Sequence, residues 1–231
     1  MGGCIGRSEK WAFPRADVFF VGPFPFGMKF ALHKSDSSEE AWRGEGAVEQ
    51  KAKGMRYELS GKAESWMKTI ITVATTGAWP KKENNPNVPM TPAEIAEDVY
   101  ACWQAGAAIA HLHMRDDHGD GTMDVRKFRE TVELLRGNHP DCDIVLNMTT
   151  SGDLNATEET RQLHLKELRP EMASFDCGSM NWMNASLFLN PPKFLEELGR
   201  NMQEWGVKPE IEAFDPGMIA NAAYYLKKGV L

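Results

Sequence analysis

Ala107-Ala108-Ile109-Ala110-His111-Leu112-His113-Met114-Arg115-Asp116 is the stretch whose reading decides the fold. Its front half is small and apolar, as in a strand buried on both faces. Two histidines follow at i and i+2, and alternate residues of a strand share a face. Two imidazoles on one face at the end of a buried strand would make half of a metal site. The same spacing also fits a strand ending in two hydrogen-bonded core histidines, and both readings stand at this point. An Arg-Asp pair comes next, where the strand would open into a loop.

Working outward, the same cadence recurs on both sides. Lys68-Thr69-Ile70-Ile71-Thr72-Val73-Ala74 is β-branched and apolar, a first strand that opens into Thr75-Thr76-Gly77-Ala78-Trp79-Pro80. A helix should begin after Thr91, with Pro92 at its first position and Glu94 closing a capping box, and end near Gly106. Ile95, Val99, Cys102 and Trp103 form its buried stripe. A second helix runs around 125–135, with Phe128, Val132 and Leu135 on one face. Strands are expected over 143–148, 171–176 and 208–215. Helices are expected around 157–168, 191–205 and 218–228, the first of them made rather polar by Arg161, His164 and Lys166. Such alternation predicts a parallel sheet with right-handed crossovers. Each strand ends in polar, loop-forming residues, the end where (β/α) barrels and doubly wound sheets both build their sites.

Residues 1–66 read differently. Asp17-Val18-Phe19-Phe20-Val21 could form a strand, but Gly22-Pro23-Phe24-Pro25-Phe26-Gly27 ends it quickly. From Lys34 to Lys62 the chain is polar and Gly-dotted with no sustained apolar period, so 1–66 is expected to be a poorly structured extension.

Composition narrows the function classes. The 231 residues are 42% hydrophobic and 26% charged, enough for one large domain or a domain plus an appendage. A formal charge of -7 argues against a general nucleic-acid or anionic-membrane surface. No apolar run approaches the roughly 20 residues needed to span a bilayer, so no integral membrane protein is expected. Cys4, Cys102, Cys142 and Cys177 are scattered without a C-x-x-C pair, which suits reduced thiols in the cytoplasm. The start carries neither a secretory signal nor a full myristoylation pattern, because Gly6 stands where Ser or Thr is needed.

Taken together, the strand ends resemble one family. Thr72-Val73-Ala74-Thr75-Thr76-Gly77-Ala78, Pro89-Met90-Thr91-Pro92 and Ala105-Gly106-Ala107-Ala108 fit its opening pattern. So do His111-Leu112-His113-Met114-Arg115-Asp116, the loop at Thr149, Gly178-Ser179-Met180-Asn181, and Pro209-Glu210-Ile211-Glu212-Ala213-Phe214-Asp215. These resemble the β-keto acid cleavage enzymes, whose founding activity cleaves 3-keto-5-aminohexanoate in lysine degradation. The resemblance covers 67–231 and implies an α/β fold of the (β/α)8 TIM-barrel type. It implies an acyltransferase that breaks a carbon–carbon bond by retro-Claisen exchange, a β-keto acid and acetyl-CoA giving acetoacetate and a new acyl-CoA. It also implies zinc as cofactor, on His111 and His113, and a homo-oligomer in the intact family. Thr149, Gly152 and Ser174 match family substrate contacts, although Thr149 against Thr150 depends on the alignment. Glu212 matches a pocket carboxylate with a catalytic role, with Glu210 its same-face neighbour. Trp79 stands where the founding enzymes carry a glutamate, which suits an apolar or uncharged acyl chain better than an amino group.

One departure from the pattern shapes the expectation. The family's Arg-x-Gly-x-Glu-Asp motif, which supplies a third zinc ligand, an arginine and a catalytic aspartate, is absent from these 231 residues. The chain therefore reads as a C-terminally truncated member with about the first five βα units, its sheet edges unpaired. The alternatives are an inactive fragment that binds metal weakly or associates with a partner chain, and a metal-dependent hydrolase barrel. In the hydrolase pattern the His-x-His pair ends the first strand, and later strands bring further ligands. Here it ends the second, and His118, His139 and His164 fall in loops or helices.

Overall fold

A computed structural model describes residue 28–31 backbone and residues 70–231 except 154 and 183. Its main sheet runs β1 (Met28–Ala31), β2 (Ile70–Val73), β3 (Ile109–Leu112), β6 (Val145–Met148), β7 (Met172–Asp176), β10 (Lys208–Glu212) in spatial order. All pairs from β2 onward are parallel. Two small hairpins, β4–β5 (Met114–Arg115 with Gly121–Thr122) and β8–β9 (Met180–Trp182 with Ser186–Phe188), decorate the ends of β3 and β7. Five helices follow the parallel strands in turn: α1 (Pro92–Gln104), α2 (Val125–Asn138), α3 (Thr160–Leu168), α4 (Pro192–Trp205) and α5 (Pro216–Lys228).

The parallel strands follow chain order, and successive helices α1, α2, α3 and α4 touch one another. A doubly wound sheet reverses its strand order and puts helices on both faces. Helices here form one continuous layer, as around a curled barrel wall. The described residues are therefore a TIM-barrel-like half-barrel.

Strand periodicity explains how that wall is filled. Ala110, Leu112, Leu146, Met148, Ala173, Phe175 and Ile211 join the core shared with the helices. Each of the larger of these, the Leu, Met, Phe and Ile side chains, contributes about 1.5–3 kcal/mol. The residues between them point to the other face. Near its floor lie Ile109 and Met172, packed with Ile70 and Val145. Toward the strand C-termini that face turns polar. His111 is level with Asn147, Ser174 with Glu210, and Asp176 with Glu212. Every one of these is buried.

The helices start where their residues allow. Thr91 caps α1 and Glu94 returns the bond to the Thr91 backbone, completing the capping box. Asp124 caps α2 and Asp215 caps α5 through the Met218 amide at 2.9 Å. α3 begins at Thr160, three residues later than the apolar pattern implied, because Thr157 first closes a turn onto the Thr160 amide at 3.2 Å. Its buried residues are Arg161, Gln162, His164 and Leu165.

One expectation is corrected at the sheet edge. The β2 edge is not left unpaired: β1 lies along it antiparallel, with Met28 opposite Val73 and Ala31 opposite Ile70. An open row of backbone donors and acceptors pairs readily with an extended segment, even one without a strong sequence signal. The strand suggested at 17–21, and the rest of 1–66, lie outside the described residues.

Candidate active site

β3 presents His111, and His113 follows one residue beyond the strand's end. Both are buried. Their Nε2 atoms face each other at 3.1 Å. Behind His111, Glu210 Oε2 lies 3.1 Å from Nδ1, and the Asn147 amide donates to the same carboxylate oxygen at 2.5 Å. A carboxylate only accepts, so Nδ1 of His111 carries the proton and its Nε2 lone pair turns toward His113. Glu212 Oε1 stands 4.0 Å from the same Nδ1.

This geometry fits a tetrahedral cation on the Nε2 side. Bonds of about 2.0–2.1 Å put two nitrogen ligands roughly 3.3 Å apart, close to the separation seen. Glu210 then plays the part of the carboxylate behind a metal-binding histidine. A second ligand set exists on paper, because His111, Glu210 and Glu212 offer atoms within 4.8 Å of one another. It would require His111 to bind through Nδ1, the nitrogen already committed to Glu210. The Nε2 pair is the better site.

The loop at 149–152 lies against this pair. A Cβ added to Gly152 would come within 3.4 Å of His113 Nδ1 and 3.1 Å of the Thr149 methyl group. Gly121, in the β4–β5 hairpin, approaches closer still, and a Cβ there would sit 2.0 Å from the Gly152 carbonyl oxygen. Only glycine allows those two backbones to meet. The two threonines have different commitments. Thr150 donates its amide to Ser174 Oγ at 2.9 Å and its hydroxyl to the Ser174 carbonyl at 3.1 Å. Thr149 Oγ1 accepts the Ser151 amide at 3.1 Å.

Trp79 is 54% exposed, on the loop after β2. That loop is fixed by Arg115, which is buried and donates to the carbonyls of Gly77 at 2.7 Å and Pro80 at 3.1 Å. Arg115 also donates to the Gly119 carbonyl at 3.2 Å. It sets the loop that carries Trp79.

The structure gathers His111, His113, Glu212 and Gly152 into one cluster, with Ser174 one step away through Thr150. Trp79 stands at the rim instead. Sequence reasoning passed over Asn147 and ranked Glu210 second. The sheet register supplies both, since residues level with His111 and Ser174 on its face must be polar to fill a polar interior. Cys177, beside Asp176, is an unreactive thiol: burial, then the nearby Asp176 and Glu212 charges, push it up to about 12.

The half-barrel wall thus carries paired histidines, a buried carboxylate behind them and a hydroxyl-bearing loop in front, a donor set of the kind α/β barrel enzymes gather at their strand ends. The family model described as beta-keto acid cleavage enzyme matches residues 68–231, and the chain belongs to that family. It is 43% identical over 164 residues to the 3-keto-5-aminohexanoate cleavage enzyme of Fusobacterium nucleatum subsp. nucleatum, covering 71% of this chain and 59% of that one. The enzyme of the same name from Acetoanaerobium sticklandii is 40% identical, covering 70% and 58%. A 3-oxoadipate:acetyl-CoA acetyltransferase from Cupriavidus necator is 37% identical, covering 69% and 55%. Among solved structures, apo ObcA superposes with a TM-score of 0.56 at 25% identity, over 62% of this chain and 34% of ObcA. The chain thus spans somewhat over half the length of the curated relatives it matches. No described helix is long and apolar enough to cross a membrane.

Proposed function

We propose that the protein is a zinc-dependent β-keto acid cleavage enzyme that exchanges acyl groups with acetyl-CoA. The observation that carries this reading is the pair of facing Nε2 atoms, His111 to His113, with Glu210 behind and the 149–152 loop in front. His111 and His113 would hold the zinc, which when bound supplies a Lewis acid for the oxygens of the keto acid. Glu210 and Asn147 fix the His111 ring and its tautomer.

The remaining roles belong to the chain's own groups. The 149–152 loop offers hydroxyls and backbone N–H groups to the substrate carboxylate. Ser174 holds that loop through Thr150. Glu212, buried at the end of β10, is the proton acceptor for the carbon between the keto and carboxylate groups. Atom balance then fixes the products. The carboxylate-bearing two-carbon end of the keto acid joins the acetyl group of acetyl-CoA as acetoacetate, and the rest leaves on CoA. Trp79 at the rim favours an apolar or uncharged acyl chain. The free Cys102, Cys142 and Cys177 suit a reducing compartment such as the cytoplasm.

Measuring retained zinc together with acetyl-CoA-dependent consumption of a β-keto acid tests the proposal. Bound zinc with turnover supports it. Consumption that proceeds equally without acetyl-CoA would replace it with a hydrolase, and absence of both signals would sink it.

A further inference from the structure

Arg161 is the least expected residue of the α3 face. It lies in the first turn of the helix and is 6% exposed, where an arginine is rarely found without a carboxylate. Its three hydrogen bonds all end on neutral oxygens. Nε donates to the Thr150 carbonyl at 2.6 Å, Nη1 to the Leu189 carbonyl at 2.9 Å and Nη2 to Asn190 Oδ1 at 2.6 Å. The guanidinium carbon also lies over two rings, 4.4 Å from the centre of Phe194 and 5.5 Å from that of Phe188.

Those partners are not arbitrary. Thr150 belongs to the loop after β6, which borders His113 through Gly152. Asn190 in turn donates from its side chain to the Gly178 carbonyl at 3.0 Å and from its amide to Ser179 Oγ at 2.7 Å, in the loop after β7. One cation thus joins two consecutive strand-end loops and the segment after β9. A buried arginine placed for charge neutralisation would meet a carboxylate in a fork. Directed at three separate neutral acceptors, it fixes positions instead, while the Asp176 and Glu158 charges act on it only from a distance through the field.

We infer that Arg161 is a positioning residue that holds loop 149–152 in its substrate-receiving conformation from behind. The inference rests on the reading of that loop as the carboxylate site. Lysine, a compact ammonium without the planar fork, could not reach the three separated acceptors at once or stack over Phe188 and Phe194. The fork and the two rings act together.

The test compares the full chain with R161K and R161A by hydrogen exchange at 149–152 and at β3, and by titration with acetoacetate as the carboxylate probe. Loop exchange in R161K should accelerate while β3 stays as in the wild type, and acetoacetate affinity should fall about tenfold or more. In R161A, millimolar guanidinium should restore loop protection, a rescue that a general loss of stability would not permit. Wild-type loop exchange in R161K, or equal acceleration in loop and β3 without guanidinium rescue, would overturn the inference. Should the wild type ignore acetoacetate while the loop still responds to the variants and to guanidinium, the clamp is supported and the carboxylate reading of the loop fails.

Discussion

His111 and Glu210 meet across the polar face of the sheet, Nδ1 to Oε2 at 3.1 Å, although 99 positions separate them in the chain. The contact determines which nitrogen of His111 is available. With Nδ1–H given to a carboxylate, Nε2 must look toward His113. A glutamate on the last described strand therefore orients the ring of a histidine on the second parallel strand.

Replacing that carboxylate should weaken the metal without removing a ligand. E210Q is expected to lower zinc affinity 10- to 100-fold, the usual cost of losing the partner behind a ligating histidine. H113A should cost more, because it removes a ligand. E212Q should cost less than H113A. Competition with a chelator measures all three, and a loss in E212Q as large as in H113A would instead favour binding through His111 Nδ1, Glu210 and Glu212.

Ser174 supports the 149–152 loop from the neighbouring strand. S174A removes the acceptor of the buried Thr150 amide, and an unpaired buried donor costs about 1–3 kcal/mol. Urea unfolding should register that loss, together with a higher KM for the keto acid. Unchanged stability and KM would show that Ser174 is a passive filler.

Gly121 and Gly152 make a sharper steric prediction. In G121A the new methyl would meet the Gly152 carbonyl at 2.0 Å, so the loop and the β4–β5 hairpin must move apart. Overpacking of this kind typically costs about 1–3 kcal/mol. A crystal structure of G121A should show loop 149–152 displaced, and an undisplaced loop with wild-type stability would refute the close approach.

His164 gives a pH signature. It is fully buried on α3, stacked on Phe128 at 4.3 Å, and burial pushes its pKa from 6.5 down to about 3 against a smaller opposing effect of the Thr149 backbone. The folded value is depressed, so the unfolded chain binds more protons below pH 6.5. Stability is therefore lost as pH falls through 6.5 and continues to fall toward 3. Between pH 7 and 5 this amounts to about 2 kcal/mol. Relative to H164Q, wild-type stability should drop by that extra amount over this range, and parallel drops in both proteins would contradict it.

The sequence made some of this legible and hid the rest for physical reasons. The β2 strand follows from its β-branched run, the other parallel strands from short apolar stretches between helices, and α1 from Thr91, Pro92 and Glu94, because these signals are local. The order of the loops around the site followed from where each strand turns polar. Arg161 and His164 are the exception: on periodicity they make α3 look polar, yet both face inward, and what they meet there, Leu189 and Asn190 for Arg161 and the Phe128 ring for His164, is distant in sequence. Glu210 was harder to rank than Glu212 for the same reason. Which carboxylate reaches His111 depends on the register between β10 and its neighbours, and no single segment encodes that.

The most direct test of the central claim follows label. The zinc-supplied protein would receive acetyl-CoA carrying 13C in its acetyl group, with an unlabelled β-keto acid bearing an apolar acyl chain. The predicted result is acetoacetate labelled in its acetyl half, together with an equal amount of unlabelled new acyl-CoA. Unlabelled acetoacetate, hydrolysis to free acids, or an untouched keto acid would contradict the account.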